Sequence, residues 1–281
     1  LNYTKIDKDI KRIIELYELG TGIQELADIF HYSRKTIKKK FLELNIKIRS
    51  RGNSIRKHKI FNENYFETVD TEEKAYFLGL LFSDGTNQIT PRNRVRIQLV
   101  EQDSYILEKL SNIFYQKVVL YTSDKNFRKN YKHQVAKSFE IMSRKISEDL
   151  YAYGMVQAKS LILEFPKRLD SNLYRYFIKG MTDGDGHIAL YKKKKYFNWG
   201  LIGTYDICIN IQKIIKNDLN INTHMRKRNK NNDKNTYTLS IGGNVQLEKF
   251  LDWMYKNSSI HLIRKYNKYL ELKNINKLRH G

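Results

Sequence analysis

Phe77-Leu-Gly-Leu-Leu-Phe-Ser-Asp84-Gly85 and Ile178-Lys-Gly-Met-Thr-Asp-Gly-Asp185-Gly186 are two versions of one pattern. Each is a helix-like apolar run with Gly in its third position. A small residue follows four places later (Ser83 after Gly79, Gly184 after Gly180), then Asp, then Gly. The two acids stand 101 residues apart, the length of a small domain. Gly inside a helix costs about 0.5–1 kcal/mol relative to Ala, so a Gly at the same place in both copies needs a reason. Small residues at i and i+4 share one helix face and let a second helix approach closer than usual. Two such helices packed on their small faces would bring Asp84 and Asp185 together. The Gly after each acid suits a helix C-terminus that turns directly into a strand.

Composition narrows the class. The 281 residues carry a net charge of +22, and phosphate neutralisation is the main use of such an excess. The 41% hydrophobic content allows a normal core, with room for two or three domains. The single cysteine, Cys208, excludes an internal disulfide framework and fits a reducing compartment. Seven scattered His form no zinc-ligand spacing. No apolar run reaches the length of a membrane span, and Asp7, Lys8, Asp9 and Lys11 interrupt any signal-peptide pattern. The expected location is therefore cytoplasmic, in a bacterium or a phage-infected cell, or organellar, and not secretory.

Residues 7–48 read as three short helices: Asp7 to Leu19, Ile23 to Phe30, and a third after the N-cap Ser33 that carries Ile37, Phe41 and Leu44. Leu26, Ala27 and Phe30 are the buried side of the second. This resembles a helix-turn-helix of the resolvase-like kind. Ala27 stands where the first helix of the pair must be small, and His31 stands in the turn, where Gly is usual. The third helix would present Arg34, Lys35, Thr36 and Lys38 to base edges and phosphates. Residues 1–60 hold fifteen Lys and Arg against seven Asp and Glu. Lys47 to Lys59, including Arg49 and Arg51, reads as a basic linker along the DNA backbone.

The first copy opens at Asp70-Thr-Glu-Glu73, a capping-box pattern with Asp as the cap. A hairpin follows the motif helix, with strands Gly85 to Thr90 and Arg94 to Val100. Arg94, Arg96 and Gln98 face one way, and Val95, Ile97 and Leu99 the other. Then come a helix (Asp103 to Phe114), a second hairpin around a basic loop containing Lys125 and Arg128, and a helix from Ser143. The second copy repeats this order from Leu173, with basic segments around Lys193 and Arg228, and closes with helices from Val245 to Tyr255 and from His261 to Leu272.

The duplicated motif and its surroundings closely resemble the LAGLIDADG homing endonuclease family in its single-chain, two-motif form. The resemblance covers residues 67 to about 275. It implies an α+β fold, in which two pseudo-symmetric αββαββα repeats form a β-saddle preceded by an all-α helix-turn-helix domain. The divisions would be residues 1–48 (helix-turn-helix), 49–66 (linker), 67–166 (first repeat) and 167–281 (second repeat). The implied activity is a site-specific, metal-dependent double-strand break in a long DNA target, leaving short 3′ overhangs, by a monomer encoded in an intron or other mobile element.

By the same resemblance, Asp84 and Asp185 are the metal-binding catalytic acids, with Ser83 and Gly184 adding backbone carbonyls. Mg²⁺ is the expected ion, with Mn²⁺ or Ca²⁺ substituting in binding. Lys159, Lys265 and Glu101 are candidate assistants. Gln88, Arg92, Arg94, Arg96, Gln98, Lys125, Arg128, Tyr191, Lys193, Arg226 and Arg228 are candidate DNA contacts on the saddle. Asp183, which has Phe82 as its counterpart, is read as structural. The competing reading is a non-cleaving DNA-binding regulator or RNA maturase of the same fold. An intein-borne form is disfavoured, because the chain neither starts with Cys or Ser nor ends with His-Asn. Glu271-Leu-Lys273 lies in a helical pattern and has no strand-borne Asp partner.

Overall fold

The computed structural model describes residues 5–18, 21–48, 62–114, 119–121, 136–191, 196–228 and 235–280. The chain divides into two compact units, Leu1–Phe61 and Asn62–Gly281. Arg49, Arg51, Lys125, Arg128 and Lys193 lie outside the described residues.

In the first unit a 3-10 turn, Lys5–Lys8, precedes α1 (Ile10–Glu18), α2 (Ile23–Phe30) and α3 (Arg34–Glu43). The core is Ile6, Ile13, Tyr17, Leu26, Ala27, Ile37 and Phe41, all buried. The first helix is shorter than its apolar spacing predicts, because a 3-10 turn folds Ile6 onto that core. His31 takes the left-handed conformation expected of it, with φ 54°, and its N–H bonds the Ala27 carbonyl. Ser33 caps α3 through its Oγ, which accepts from Thr36 N–H at 3.0 Å. Leu44, expected in the core, is instead exposed. The helix stops at Glu43, Asn45 turns left-handed, and Ile46 returns to pack on the core with its N–H on the Phe41 carbonyl at 2.7 Å.

The second unit runs α4 (Glu72–Asp84), β1 (Gly85–Gln88), β2 (Arg94–Val100), α5 (Tyr105–Phe114), β3 (Val119–Tyr121), β4 (Ala136–Met142) and α6 (Arg144–Ala152). It then repeats the order with α7 (Tyr174–Asp185), β5 (Gly186–Tyr191), β6 (Tyr196–Gly203), α8 (Tyr205–Leu219), β7 (His224–Lys227), β8 (Tyr237–Gly242) and α9 (Asn244–Tyr255), and closes with α10 (Ile263–His280). Both halves are αββαββα, and the antiparallel strand orders match: β1-β2-β4-β3 and β5-β6-β8-β7. This is the expected α+β architecture of two pseudo-symmetric open sheets behind a helical N-terminal region.

Each sheet buries one face. Val95, Ile97, Leu99, Phe139 and Ile141 form the inner side of the first, and Ile188, Phe197, Trp199, Leu201, Leu239 and Ile241 that of the second. α4 and α7 pack on each other in the most extensive helix contact among the described residues. Both are buried all round, from Ala75 to Phe82 and from Tyr176 to Asp183, which suits helices at the centre of a domain. The cap of α4 is Thr71, whose Oγ1 accepts from Lys74 N–H at 3.2 Å. Asp70, the expected cap, instead pairs with Lys74 Nζ at 2.8 Å. A hydroxyl one position later reaches the free N–H groups of the first turn and leaves the carboxylate for the ammonium.

Candidate active site and nucleic-acid interface

The glycines set the approach of the two motif helices. A Cβ on Gly79 would run into the Phe177 carbonyl, and one on Gly180 into the Tyr76 carbonyl. These are backbone atoms of the facing helix, so neither side can yield. One turn later, a Cβ on Gly184 would meet the Ser83 side chain and Asp84 Oδ2, which places the ends of both helices against each other. The glycines after the acids are needed for a different reason from the one expected. Gly85 and Gly186 have φ −85° and −82°, open to any residue, but a Cβ there would collide with the Leu81 or Thr182 carbonyl of the turn just completed.

Asp84 and Asp185 end α4 and α7. Asp84 is half-buried, and Asp185 keeps solvent access while surrounding protein thins its hydration. Burial, followed by the like charge of Asp185, raises Asp84 to about 6. Asp185 is also raised by burial, with Lys159 and then Lys265 pulling it down. The lysines act crosswise, since Lys265 is the larger positive influence on Asp84 and Lys159 on Asp185.

Both lysines hold backbone. Lys159, in the 3-10 turn Lys159–Leu161, donates from Nζ to the Ser83 carbonyl at 2.8 Å. Lys265, near the start of α10, donates to the carbonyls of Thr182 (2.5 Å), Asp183 (2.6 Å), Gly184 (3.4 Å) and Gly186 (2.6 Å). It therefore closes the last turn of α7, where the Thr182 carbonyl also accepts from Gly186 N–H and the later carbonyls lie past the end of the helical ladder. Burial lowers both ammoniums, Lys265 to about 8. A cavity of ≈340 Å³ lies beside this cluster, lined by Ser83, Lys159, Asp185, Phe82, Met181 and Thr204 among others. Glu101 is exposed in the 3-10 turn Glu101–Asp103, just past the end of β2.

The segments carrying the lysines are strapped to the opposite half. Arg264 pairs with buried Asp103 at 2.8 Å, and Tyr105 donates to the His261 carbonyl at 2.9 Å. In the pseudo-symmetric place, Thr204 donates to the Leu163 carbonyl at 2.5 Å and Phe165 N–H bonds Asp206 at 2.7 Å.

Asp183 is wholly buried beneath the acids. It accepts from Tyr76 OH (2.9 Å), Tyr255 OH (3.0 Å) and Leu262 N–H (2.8 Å). Nearby Lys179 is buried too, bonded to Ser258 Oγ with its Nζ over the Tyr76 and Tyr176 rings. The sequence reading missed these partners. Lys179, a charge inside the apolar run of a motif, was the visible signal; the tyrosine hydroxyls gave none.

On the open face of the first sheet, Arg94 pairs with Glu140 at 3.5 Å, and Arg96 donates to Gln98 at 2.9 Å. Gln88 lies opposite Arg94, and Arg92 is exposed in the turn before β2. On the second sheet Tyr191 is exposed with its ring 5.9 Å from that of Tyr196. Arg226 is exposed on the edge strand, and Arg228 follows it, half-buried. In the first unit Arg34, Lys35, Thr36 and Lys38 are exposed on α3, with the Thr36 hydroxyl bonded to Ser33 Oγ at 2.7 Å.

Among the described residues no three His, Cys, Asp or Glu side chains gather into a metal-binding group, and no helix is long and apolar enough to cross a membrane.

Residues 4–44 match the family described as the helix-turn-helix domain of resolvase, and residues 172–254 match the LAGLIDADG-like domain. Among solved structures, the homing endonuclease I-WcaI bound to its DNA recognition sequence aligns with a TM-score of 0.53 and 14% identity, covering 80% of this chain and 95% of its own. The I-LtrWI LAGLIDADG homing endonuclease bound to target DNA aligns at 0.47 and 11%, covering 77% and 92%. The N-terminal LAGLIDADG domain of DUF199/WhiA aligns at 0.43 and 14%, covering 69% and 89%. At these identities the likeness is one of fold. Comparison with curated protein sequences found no match.

Proposed function

We propose that this chain, a LAGLIDADG-fold protein with an N-terminal helix-turn-helix region, is a site-specific endonuclease that binds a long DNA target and cuts both strands, leaving short 3′ overhangs. The observation that carries the reading is the pair of acids at adjoining helix ends. Each sits beside the lysine from the other half, between two open sheets in a chain of net charge +22.

The donors fit a hard dication such as Mg²⁺. Two neighbouring carboxylates raise each other's proton affinity unless a cation lies between them, and Mg²⁺ takes one or two carboxylates and fills its octahedron with water and phosphate. Asp84 and Asp185 would hold it, with the Ser83 and Gly184 carbonyls as neighbouring oxygens. When bound, the ion supplies an activated water and shields phosphate charge. Mn²⁺ would serve in its place, and Ca²⁺ in binding. Lys265 is a positioning residue that fixes the end of α7. Lys159, which holds the Ser83 carbonyl and lines the cavity beside Asp185, would be the cation to meet an incoming phosphate on that side. Glu101, exposed just past the end of β2, would assist from the DNA face.

Arg94, Arg96, Gln98, Gln88 and Arg92 on one side, and Tyr191, Arg226 and Arg228 on the other, would meet bases and phosphates. Arg34, Lys35, Thr36 and Lys38 would extend the contact. We divide the chain into residues 1–48, 49–66, 67–166 and 167–281, and expect it to act as a monomer.

Incubation with a randomised duplex library and Mg²⁺, followed by sequencing of the ends, tests this reading. Site-specific breaks should appear and fall at least about a thousandfold in Asp84→Asn or Asp185→Asn, with binding retained. Tight binding to one site without cutting in Mg²⁺ or Mn²⁺ would make the protein a regulator, the reading that the helix-turn-helix favours. Deleting residues 1–48 should shorten the footprint; an unchanged footprint would remove that region from DNA recognition.

A further inference from the structure

The two sheets offer unlike chemistry at equivalent positions. Each sheet starts at the Gly after its acid, and the register then fixes the correspondence. Gly85 pairs with Ile97 and Gly186 with Leu201, while Ile97 pairs with Phe139 and Leu201 with Leu239. Arg94 therefore corresponds to Asn198, Arg96 to Gly200, Gln98 to Ile202, Glu140 to Ser240 and Gln88 to Ala189. Every long polar or charged side chain in the middle of the first face has a short, neutral or apolar counterpart on the second. Two of the polar groups that remain on the second face are engaged with backbone. Asn198 Nδ2 donates to the Ile241 carbonyl at 3.3 Å, and Ser240 Oγ to the His224 carbonyl at 3.3 Å. The His187 imidazole covers Gly200, closing the place where Arg96 stands in the first sheet. Among the described residues of the second sheet, the Lys and Arg side chains stand on the edge strand and its end, at Arg226, Lys227 and Arg228.

We infer that the two half-sites are read by different means, with the first repeat recognising guanine through Arg94 and Arg96 and the second an A·T half-site through shape and methyl contact. The inference rests on the endonuclease reading and deepens it. In the major groove, Arg makes bidentate bonds to guanine O6 and N7, a carboxylate accepts from cytosine N4, and Gln pairs with adenine. Glu140 beside Arg94 and Gln98 beside Arg96 hold the guanidiniums in place and supply the cytosine and adenine readers. Ile202 and the hydroxyl of Thr238 opposite it suit the thymine methyl and its neighbours. The middle of the second half-site gains few donor–acceptor bonds, so its bases are weakly specified. Its affinity comes from phosphate contacts at the outer edge, which carry no sequence information.

The test is selection of a randomised duplex library bound to the full chain in Ca²⁺, compared with Arg96→Ala and Ile202→Ala. The expected consensus is lopsided, with fixed G·C positions in one half and loosely specified A·T positions in the other. Arg96→Ala should lose about tenfold discrimination at one position in the G·C half alone. Ile202→Ala should change only the A·T half. A consensus of equal strength and composition in both halves, or an Arg96→Ala effect in the A·T half, overturns the inference and leaves the endonuclease reading standing. If no sequence is enriched at all, both fall.

Discussion

The two repeats share a backbone plan and differ in what fills it. At the acids they are close to interchangeable, with helix, glycine contact, acid and lysine recurring in order. Two residues before the acid, the first helix places Phe82 edge-on to the Phe177 ring, with centroids 5.2 Å apart, where the second places Asp183 against the Tyr76 hydroxyl. On the sheets the asymmetry runs the other way, and the charged readers belong to the first repeat. Symmetry is kept at the helix ends that carry the acids, and lost in the buried layer under them and on the open faces of the sheets.

The sharpest way to break this comparison is to force symmetry on the interior. Phe82→Asp would bury a carboxyl against Phe177, which has no hydroxyl to offer, and should destabilise the protein by about 4 kcal/mol in urea unfolding. Adding Phe177→Tyr should restore about 1 kcal/mol or more, the coupling that Tyr76 and Asp183 already enjoy. No recovery in the double variant would mean that the two places are not equivalent.

Gly79→Ala and Gly180→Ala should each cost about 3 kcal/mol, because each new methyl meets a carbonyl that cannot move. Their costs should match within about 0.5 kcal/mol if the crossing is symmetric. Unequal melting shifts would show that one helix gives way.

The lysines should separate two roles. Lys265→Met removes the ammonium from the carbonyls that end α7 and should lower stability by about 2 kcal/mol, whereas Lys159→Met should cost less than about 1 kcal/mol. Cleavage at fixed folded fraction should fall further in Lys159→Met, chiefly through kcat. The opposite ranking would exchange the roles.

The smallest effect is on pH. Asp84, raised from 3.8 to about 6, is protonated more readily in the folded chain than in the unfolded one. Without metal, stability should therefore fall as pH rises from about 4 to about 6 and level off above that. Metal competes with the same proton, so cleavage should be lost as pH drops through about 6. A pH–rate profile and thermal melts in chelator check both directions.

Much of the fold was legible because the motif repeats its small residues at helical spacing and the strands alternate cleanly, as in Arg94–Val100. The acids were legible for the same reason. The lysines could be named from their place late in each repeat, but the sequence could not tell that Lys265 closes a helix end while Lys159 stands beside a cavity. Those roles depend on contacts between segments far apart in the chain. The cap at Thr71 and the exposure of Leu44 were one-residue matters, decided by which oxygen reaches an N–H and where a left-handed Asn turns the chain. The tyrosine partners of Asp183 were not legible, since Tyr76 and Tyr255 look like ordinary core aromatics until the helices cross.

The contact between Tyr76 and Asp183 also bears on the ancestry of such a chain. Pairing two first repeats would leave two Tyr76 hydroxyls facing Phe82, and pairing two second repeats would set two Asp183 carboxyls against Phe177. The first mismatch strands each Tyr76 hydroxyl at about 1–3 kcal/mol, and the second takes one of three donors from each Asp183. A chain of two equal halves would meet no such barrier; here each half fits the other better than it would fit a copy of itself.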